Sequence, residues 1–199
     1  MIYDIIIVGA GPIGCKVGEL TAKEGFNVLI LEEHPGIGLP VQCAGLVSHR
    51  IFKLSKVSQK VVVNKVRRAR FYSLSNYIEL KSKKNVYVID RERFDKELVK
   101  KAKSAGAVIK TSTRFLGHKR EKILRVKTNK GEFQTKLLVG ADGPNSSVAR
   151  TARIKLPDNK LTGVQTTIKS HYNPKTVELW FDPKITYYAT KVLRKLVIC

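Results

Sequence analysis

Residues 2–8 (IYDIIIV) are an isoleucine-rich apolar run bounded by glycine, the pattern of a buried strand. Over 13–25, Ile13, Val17, Leu20 and Thr21 recur at helical spacing, and Gly25 ends the segment as a C-cap. Residues 27–32 (NVLILE) read as a second buried strand, so the chain opens β-α-β, with parallel strands and a right-handed crossover. Residues 34–48 hold three glycines and two prolines and read as a long, fairly apolar loop. Residues 60–89 are predicted as three or four short strands, with turns at Asn64, Ser75-Asn76 and Lys84-Asn85. Asp90 can cap a helix over 91–105 with Phe94, Leu98, Val99 and Ala102 on one face. Strands follow at Val108–Phe115, Ile123–Thr128 and Glu132–Thr135, with Asn129-Lys130-Gly131 as a hairpin turn. Residues 137–141 (LLVGA) form a further buried strand, Ser146 or Ser147 opens a short helix, and 161–169 and 176–181 alternate as sheet strands.

Charge changes this picture. The 199 residues carry 38 Lys+Arg against 16 Asp+Glu, a net charge of +22. Residues 1–50 carry net −2, and the next three quarters carry +9, +9 and +6. The basic part fits either an anionic partner or a lysine-rich solvated surface, and the scatter of the charges favours the second. With 43% hydrophobic residues the chain can bury a core. No apolar run approaches the ~18 residues of a membrane span, and the start lacks the basic region and cleavage site of a signal peptide. Cys15, Cys43 and Cys199 are an odd number without a CxxC pair, which excludes a disulfide scaffold or zinc ribbon and suits a reducing cytoplasm.

The first turn carries the chemistry. Gly9-Ala10-Gly11-Pro12-Ile13-Gly14 is a G-x-G-x-x-G between a strand and a helix. Its glycines serve a tight turn, close approach of a diphosphate, and helix–strand packing. The helix N-terminus offers unpaired N–H groups and partial positive charge to that anion, and Ile13 sits where its N–H can face it. Glu32 ends the second strand, 18 residues after Gly14, where a carboxylate accepts hydrogen bonds from adenosine ribose hydroxyls. Glu33 points elsewhere, because side chains alternate along a strand. The module by itself does not separate NAD from FAD.

The run from Glu32 through Pro40, Gln42, Cys43, Ala44 and Gly45 to Ser48 closely resembles the geranylgeranyl reductases, FAD-dependent enzymes that saturate prenyl chains of archaeal membrane lipids. Arg91-Glu92-Arg93-Phe94-Asp95 is similar to the R-x-x-F-D of the wider class that includes para-hydroxybenzoate hydroxylase. Gly140-Ala141-Asp142-Gly143-Pro144 is similar to its Asp-Gly motif. The resemblance covers most of residues 1–150. It implies an α/β fold: a Rossmann-type FAD-binding domain of the para-hydroxybenzoate hydroxylase-like class (1–60 and 86–155) and an incomplete, sheet-based substrate domain (61–85 and 156–199).

Carried over, Gly9, Gly11, Ile13 and Gly14 bind the FAD diphosphate region and Glu32 holds the ribose. Cys43 and Ala44 lie along the flavin, Arg91 reaches the phosphate–ribityl region, and the strand end near Phe115 contacts adenine through its backbone. Asp142 and Gly143 close over the diphosphate. The residues alone leave alternatives: Cys43 as a small buried hydrophobe, Asp142-Gly143-Pro144 as a turn, Asp95 as a first-turn acid, and Cys15 as packing. Cys43 is the one chemically distinctive catalytic candidate; no metal ligand set is seen. The implied partners are a prenylated lipid or prenyl diphosphate, an external donor (NAD(P)H or ferredoxin-like), and peripheral contact with a membrane from the cytoplasm.

The chain departs from the family in length, which is roughly half. After Trp180-Phe181 it lacks the expected aromatic- and proline-rich stretch, and it lacks the late Gly-Asp motif at the flavin's ribityl end. It therefore reads as an N-terminal portion, from a truncated or frameshifted gene or a split subunit, with sheet edges left open. The alternatives are a flavin-dependent aromatic hydroxylase, a non-catalytic adenosine-binding fragment, or a basic protein for nucleic acid or membrane. Against nucleic acid, Phe71, Tyr72, Tyr77 and Tyr87 fit strand packing better than a base-stacking platform.

Overall fold

A computed structural model describes residues 1–73, 76–158, 164–167, 173–181, 188–192 and 195–198. Along the chain run β1 (Ile2–Val8), α1 (Pro12–Lys23), β2 (Val28–Leu31), β3 (Leu46–Ser48), α2 (Arg50–Ser55), β4 (Val62–Ser73) and β5 (Asn76–Ile89). There follow α3 (Arg91–Ser104), β6 (Val108–Lys110), β7 (Phe115–Arg120), β8 (Leu124–Thr128), β9 (Gly131–Gly140) and α4 (Ser147–Thr151). The last strands are β10 (Val164–Thr167), β11 (Thr176–Phe181), β12 (Tyr188–Val192) and β13 (Lys195–Ile198). Two compact units form, Met1–Pro40 with Asp95–Lys160, and Val41–Phe94 with Leu161–Cys199.

The first unit is a six-stranded sheet in the order β6-β2-β1-β9-β8-β7. β1 pairs in parallel with β2 on one side and β9 on the other, which is why Ile5–Val8 are all apolar and buried: both faces are covered there. Ile6, Val8, Leu29 and Leu31 pack with Tyr3, Phe115, Val126 and Val148 in one cluster. Truncating the fully buried Ile6 to Ala would cost about 2–5 kcal/mol. The other face receives α1, and here the periodicity misleads. Ile13 is 70% exposed and Leu20 51%, while Gly14, Cys15, Gly18, Glu19 and Ala22 are buried. Small residues decide the packing face: a Cβ on Gly18 would lie 2.6 Å from Ile30 Cδ1. Glu19 tolerates its position because Lys16 and Lys23 reach it at 2.9 and 2.6 Å.

Two further expectations are corrected in this unit. Val108–Phe115 is not one strand: Ser112 takes a left-handed φ of 51°, and the chain breaks between β6 and β7. The strands expected at 132–135 and 137–141 are one, β9, which pairs with β8 over Gly131–Thr135 and with β1 over Gln134–Gly140. The Asn129-Lys130 turn between β8 and β9 is present, with Gly131 at φ 105°.

The second unit is a seven-stranded sheet in the order β10-β13-β12-β11-β4-β5-β3. Instead of three or four short strands, residues 62–73 and 76–89 make two long strands paired antiparallel. The turn signals at Asn64 and Lys84-Asn85 fall at register breaks, between Val62 and Asn64 and opposite the Val66–Arg68 step, so they make bulges and not turns. Ser75 of the third turn signal lies outside the described residues, as do the ends of the 161–169 segment and Cys199. β11 joins β4 in parallel, and Val66, Val88 and Val177 form the local core. The units exchange at 40/41 and 94/95, where the sequence places the boundaries at 60/61 and 85/86. The reason is hydrogen bonding: β3 pairs with β5, Ile89 N–H donates to Gly45 O at 2.9 Å, and Asp90 N–H donates to Val61 O at 2.8 Å. The short helix α2, unsignalled by periodicity, buries Phe52 against Tyr87 at 5.2 Å between ring centroids.

Candidate nucleotide-binding site

β1 ends at Val8, and the chain turns through Gly9 (φ 100°) into α1. A Cβ on Gly9 would clash with the Ala141 carbonyl oxygen and lie 2.7 Å from its carbon. A Cβ on Gly14 would clash with the Gly9 carbonyl oxygen and lie 3.3 Å from Ala141 Cβ. These glycines therefore serve backbone packing between the β1–α1 turn and the end of β9. Gly11 differs: a Cβ there would meet nothing within 4 Å. Gly11 is the N-cap of α1, makes no side-chain cap bond, and is followed by Pro12 at the first helical position and no acid in the first turn. The Ile13 and Gly14 amides are thus the uncapped donors of a twelve-residue helix, facing an open cradle.

The Glu32 carboxylate is fixed beside this turn. It accepts hydrogen bonds from the Ala10 N–H (2.9 Å) and the His34 N–H (2.9 Å), and His34 Nδ1 lies 2.8 Å from the same Oε1. Glu33 is exposed. The His34 contact was not legible in the sequence, where only its position two residues beyond the strand acid could have signalled it. The 110–114 segment runs alongside, with Glu32 N–H donating to Lys110 O and Thr113 N–H to Glu32 O, at 2.9 and 2.8 Å. Phe115 then starts β7, its side chain buried in the core.

Asp142 has its carboxylate turned to α4: Oδ2 accepts from the Ser147 and Val148 N–H groups at 2.7 and 3.1 Å, and Oδ1 from Ser146 Oγ at 2.5 Å. Ser146 Oγ in turn caps the Ala149 N–H at 2.9 Å. The carboxylate therefore holds the 141–146 loop in shape, with Gly143 at φ 77°, while Ala141 N–H donates to Val8 O at 2.8 Å. Cys15 follows the glycine turn but is inert. It is fully buried, its Sγ lies 3.1 Å from Ala10 O, and burial, then the charges of Asp95 and Glu32, push its thiol up to about 12.

Cys43, Ala44 and Arg91 belong to the second unit. Cys43 is half-buried, with Sγ accepting from the Gly45 N–H at 3.4 Å. Gly45, at φ 77°, packs against the Ile89 carbonyl, and Ala44 packs on the Val66–Val88–Val177 cluster. Arg91 opens α3 beside Asp90, whose Oδ1 caps the Arg93 N–H at 3.1 Å.

The residues present fit a dinucleotide: an uncapped helix start, a cradle open at Gly11, and a fixed carboxylate at the strand end. Among the described residues, no helix is long and apolar enough to cross a membrane. The FAD binding domain family matches residues 2–191. An uncharacterized protein of Methanocaldococcus jannaschii is 36% identical over 163 residues, covering 79% of this chain and 41% of that protein. A digeranylgeranylglycerophospholipid reductase of Thermoplasma volcanium is 33% identical over 171 residues, covering 77% of this chain and 42% of that protein. The crystal structure of a geranylgeranyl bacteriochlorophyll reductase-like protein of Thermoplasma acidophilum matches with a TM-score of 0.84 at 26% identity, covering 99% of this chain and 55% of that one. The chain thus spans less than half the length of these curated relatives.

Proposed function

The chain belongs to the FAD binding domain family, and from that premise we propose that it supplies the FAD-binding part of an oxidoreductase reducing C=C bonds in the geranylgeranyl chains of membrane lipids. The observation that carries the cofactor reading is the open, uncapped cradle at Gly11 beside the fixed Glu32 carboxylate. The lipid substrate rests on the named function of the Thermoplasma volcanium relative.

In this reading Gly9 and Gly14 shape the turn, and the Ile13 and Gly14 amides donate to the diphosphate at the space left by Gly11. Glu32 accepts from the ribose hydroxyls, held in orientation by Ala10 and His34. The backbone at Phe115 borders the adenine, and the Asp142–Gly143 loop covers the diphosphate. Arg91, Cys43 and Ala44 take the roles the family resemblance implies, Arg91 toward the phosphate–ribityl region and the other two along the flavin. Bound and reduced, FAD supplies the hydride that an isolated alkene needs. The second sheet takes the prenyl chain and excludes water, and Cys43 Sγ is the proton source. The protein works in the cytoplasm, peripheral to the membrane.

The test is to add FAD to the purified protein, reduce it anaerobically, and supply a digeranylgeranyl phospholipid. The expected results are a yellow protein with a bound-flavin spectrum and a mass gain of two hydrogens per saturated bond. NADPH and a reduced ferredoxin are compared as donors. A folded protein that takes up no FAD overturns the reading, and oxygen-dependent hydroxylation of an aromatic substrate replaces it with the hydroxylase. Unchanged alkene reduction in Cys43→Ala removes that residue from the chemistry.

A further inference from the structure

The hairpin of the second unit contains a basic cleft that the flavin chemistry does not use. Lys65, Arg67, Arg68, Lys81 and Lys175 line a cavity of about 580 Å³, with Glu79 as the acid among its lining residues. Glu79 is already engaged, at 2.7 Å from Arg70 Nε and 3.8 Å from Arg68. Five cations around one engaged carboxylate repel one another unless an anion sits among them.

The cleft is built by the backbone. Across the Val66–Arg68 step the register of β5 jumps from Val86 to Lys81, and this irregularity interrupts the alternation of side chains, so that Arg67 and Arg68 both line the cavity. Arg67 Nε donates to Asn85 Oδ1 at 2.6 Å, which aims the guanidinium. Lys175 is fixed by its own backbone: its carbonyl accepts from the Arg67 and Arg68 N–H groups at 3.2 and 3.3 Å, and Asn173 Oδ1 accepts its N–H at 2.9 Å. A guanidinium aimed in this way, with ammonium groups lining the same cleft, suits a phosphate.

The rest of the hairpin says which phosphate. Four residues along the cleft's face from Arg68, about 13 Å away, Tyr72 is sandwiched between Trp180 and Tyr77, both at 5.2 Å between ring centroids. On the same face Arg70 lies over the Tyr77 ring at 5.1 Å from its centroid. Tyr and Trp beside cations on one face are the composition of a membrane–water interface. Rings packed on one another are not free to stack on nucleic-acid bases.

We propose that this cleft binds the phosphate groups of an anionic lipid surface and seats the hairpin on it. The proposal takes up the lipid-substrate reading above but needs neither FAD nor turnover. A failed vesicle assay leaves the flavin reading standing, and a failed reductase assay leaves this one standing. The experiment is co-sedimentation of the purified chain with phosphatidylcholine vesicles, with and without phosphatidylglycerol. Binding to the anionic vesicles alone, weakened by added salt, is expected. Neutralising Arg67, Arg68, Lys81 and Lys175 together (each to Gln) should lower vesicle affinity at least about a hundredfold, since each cation near an anionic surface is worth roughly fivefold. The double change Arg67→Lys with Arg68→Lys keeps the charge and should retain affinity within about threefold. Neutralising Lys60, Lys103, Lys122 and Lys127 removes the same charge elsewhere and should cost less than the cleft set. Equal losses from the two sets would reduce the effect to the overall charge and overturn the proposal. So would binding to neutral vesicles, tight binding of inorganic pyrophosphate without vesicle binding, or a cleft-dependent affinity for a short RNA exceeding that for vesicles.

Discussion

Gly11→Ala and Gly14→Ala change the same atom count three residues apart and should fail in opposite ways. At Gly14 the new methyl would clash with the Gly9 carbonyl oxygen and sit 3.1 Å from its carbon and 3.3 Å from Ala141 Cβ. The carbonyl is backbone in a turn already at φ 100° and cannot rotate aside, so α1 must withdraw from β1. Overpacking of this kind costs 1–3 kcal/mol, and a backbone clash places it at about 3 kcal/mol. At roughly 2–4 °C per kcal/mol for a chain of this size, the midpoint of thermal unfolding should fall by about 6–12 °C. At Gly11 the methyl meets nothing within 4 Å, and φ −70°, ψ −179° suits alanine. Loss of a favourable N-cap glycine and loss of glycine's unfolded-state freedom are each about 0.5–1 kcal/mol and offset one another. Stability should therefore hold within about 1 kcal/mol, while the methyl occupies the cradle and lowers FAD affinity at least tenfold, about 1.4 kcal/mol. Circular-dichroism melts and flavin fluorescence titrations read the two effects separately. If Gly11→Ala melts as low as Gly14→Ala, or binds FAD as the unmodified protein does, the division between packing and cradle glycines is wrong.

Asp142→Asn should cost about 1–2 kcal/mol, read by melting, because it weakens the two amide bonds at the start of α4. Cys15, fully buried with its thiol pushed up to about 12, should escape iodoacetamide at pH 8 in the folded protein and react after denaturation, while Cys43 reacts in both; peptide mass mapping decides. The Glu19 carboxyl resists burial, which alone would raise it, because Lys23 and Lys16 hold it below its usual range. Its ion pairs therefore stabilise the fold above the unfolded-state value of about 4.5 and are lost as pH falls through the lower folded value. Glu19→Gln should flatten the fall in melting temperature below that pH, and an acid limb as steep as before would contradict the ion pairs.

The β1-α1-β2 opening was readable because Ile5–Val8 and Val28–Leu31 are unbroken apolar runs and glycines punctuate them. The buried face of α1 was not, because small residues there outrank apolar ones: Gly18 admits Ile30, and Ile13 stays in solvent. Turn chemistry at Asn64 and Lys84-Asn85 was real, but the pairing of β4 with β5 converted it into bulges. Nothing in Thr111–Arg114 announced the left-handed Ser112 that separates β6 from β7. Glu32 was legible from its spacing, whereas the ring of His34 against it depends on a reverse bend after β2 that no residue type demands. The phosphate cleft was spread over Lys65, Arg67, Lys81 and Lys175, residues that only the hairpin and β11 bring together.

The place of β9 also sets a schedule for synthesis. β1 leaves the ribosome before its partners, pairs with β2 after residue 31, and waits for residues 134–140 to cover its other edge. At roughly 5–20 residues per second, that wait is about 5–20 s, with the edge of an Ile-rich parallel strand open throughout. During that wait the open edge of β1 gives a chaperone something to hold.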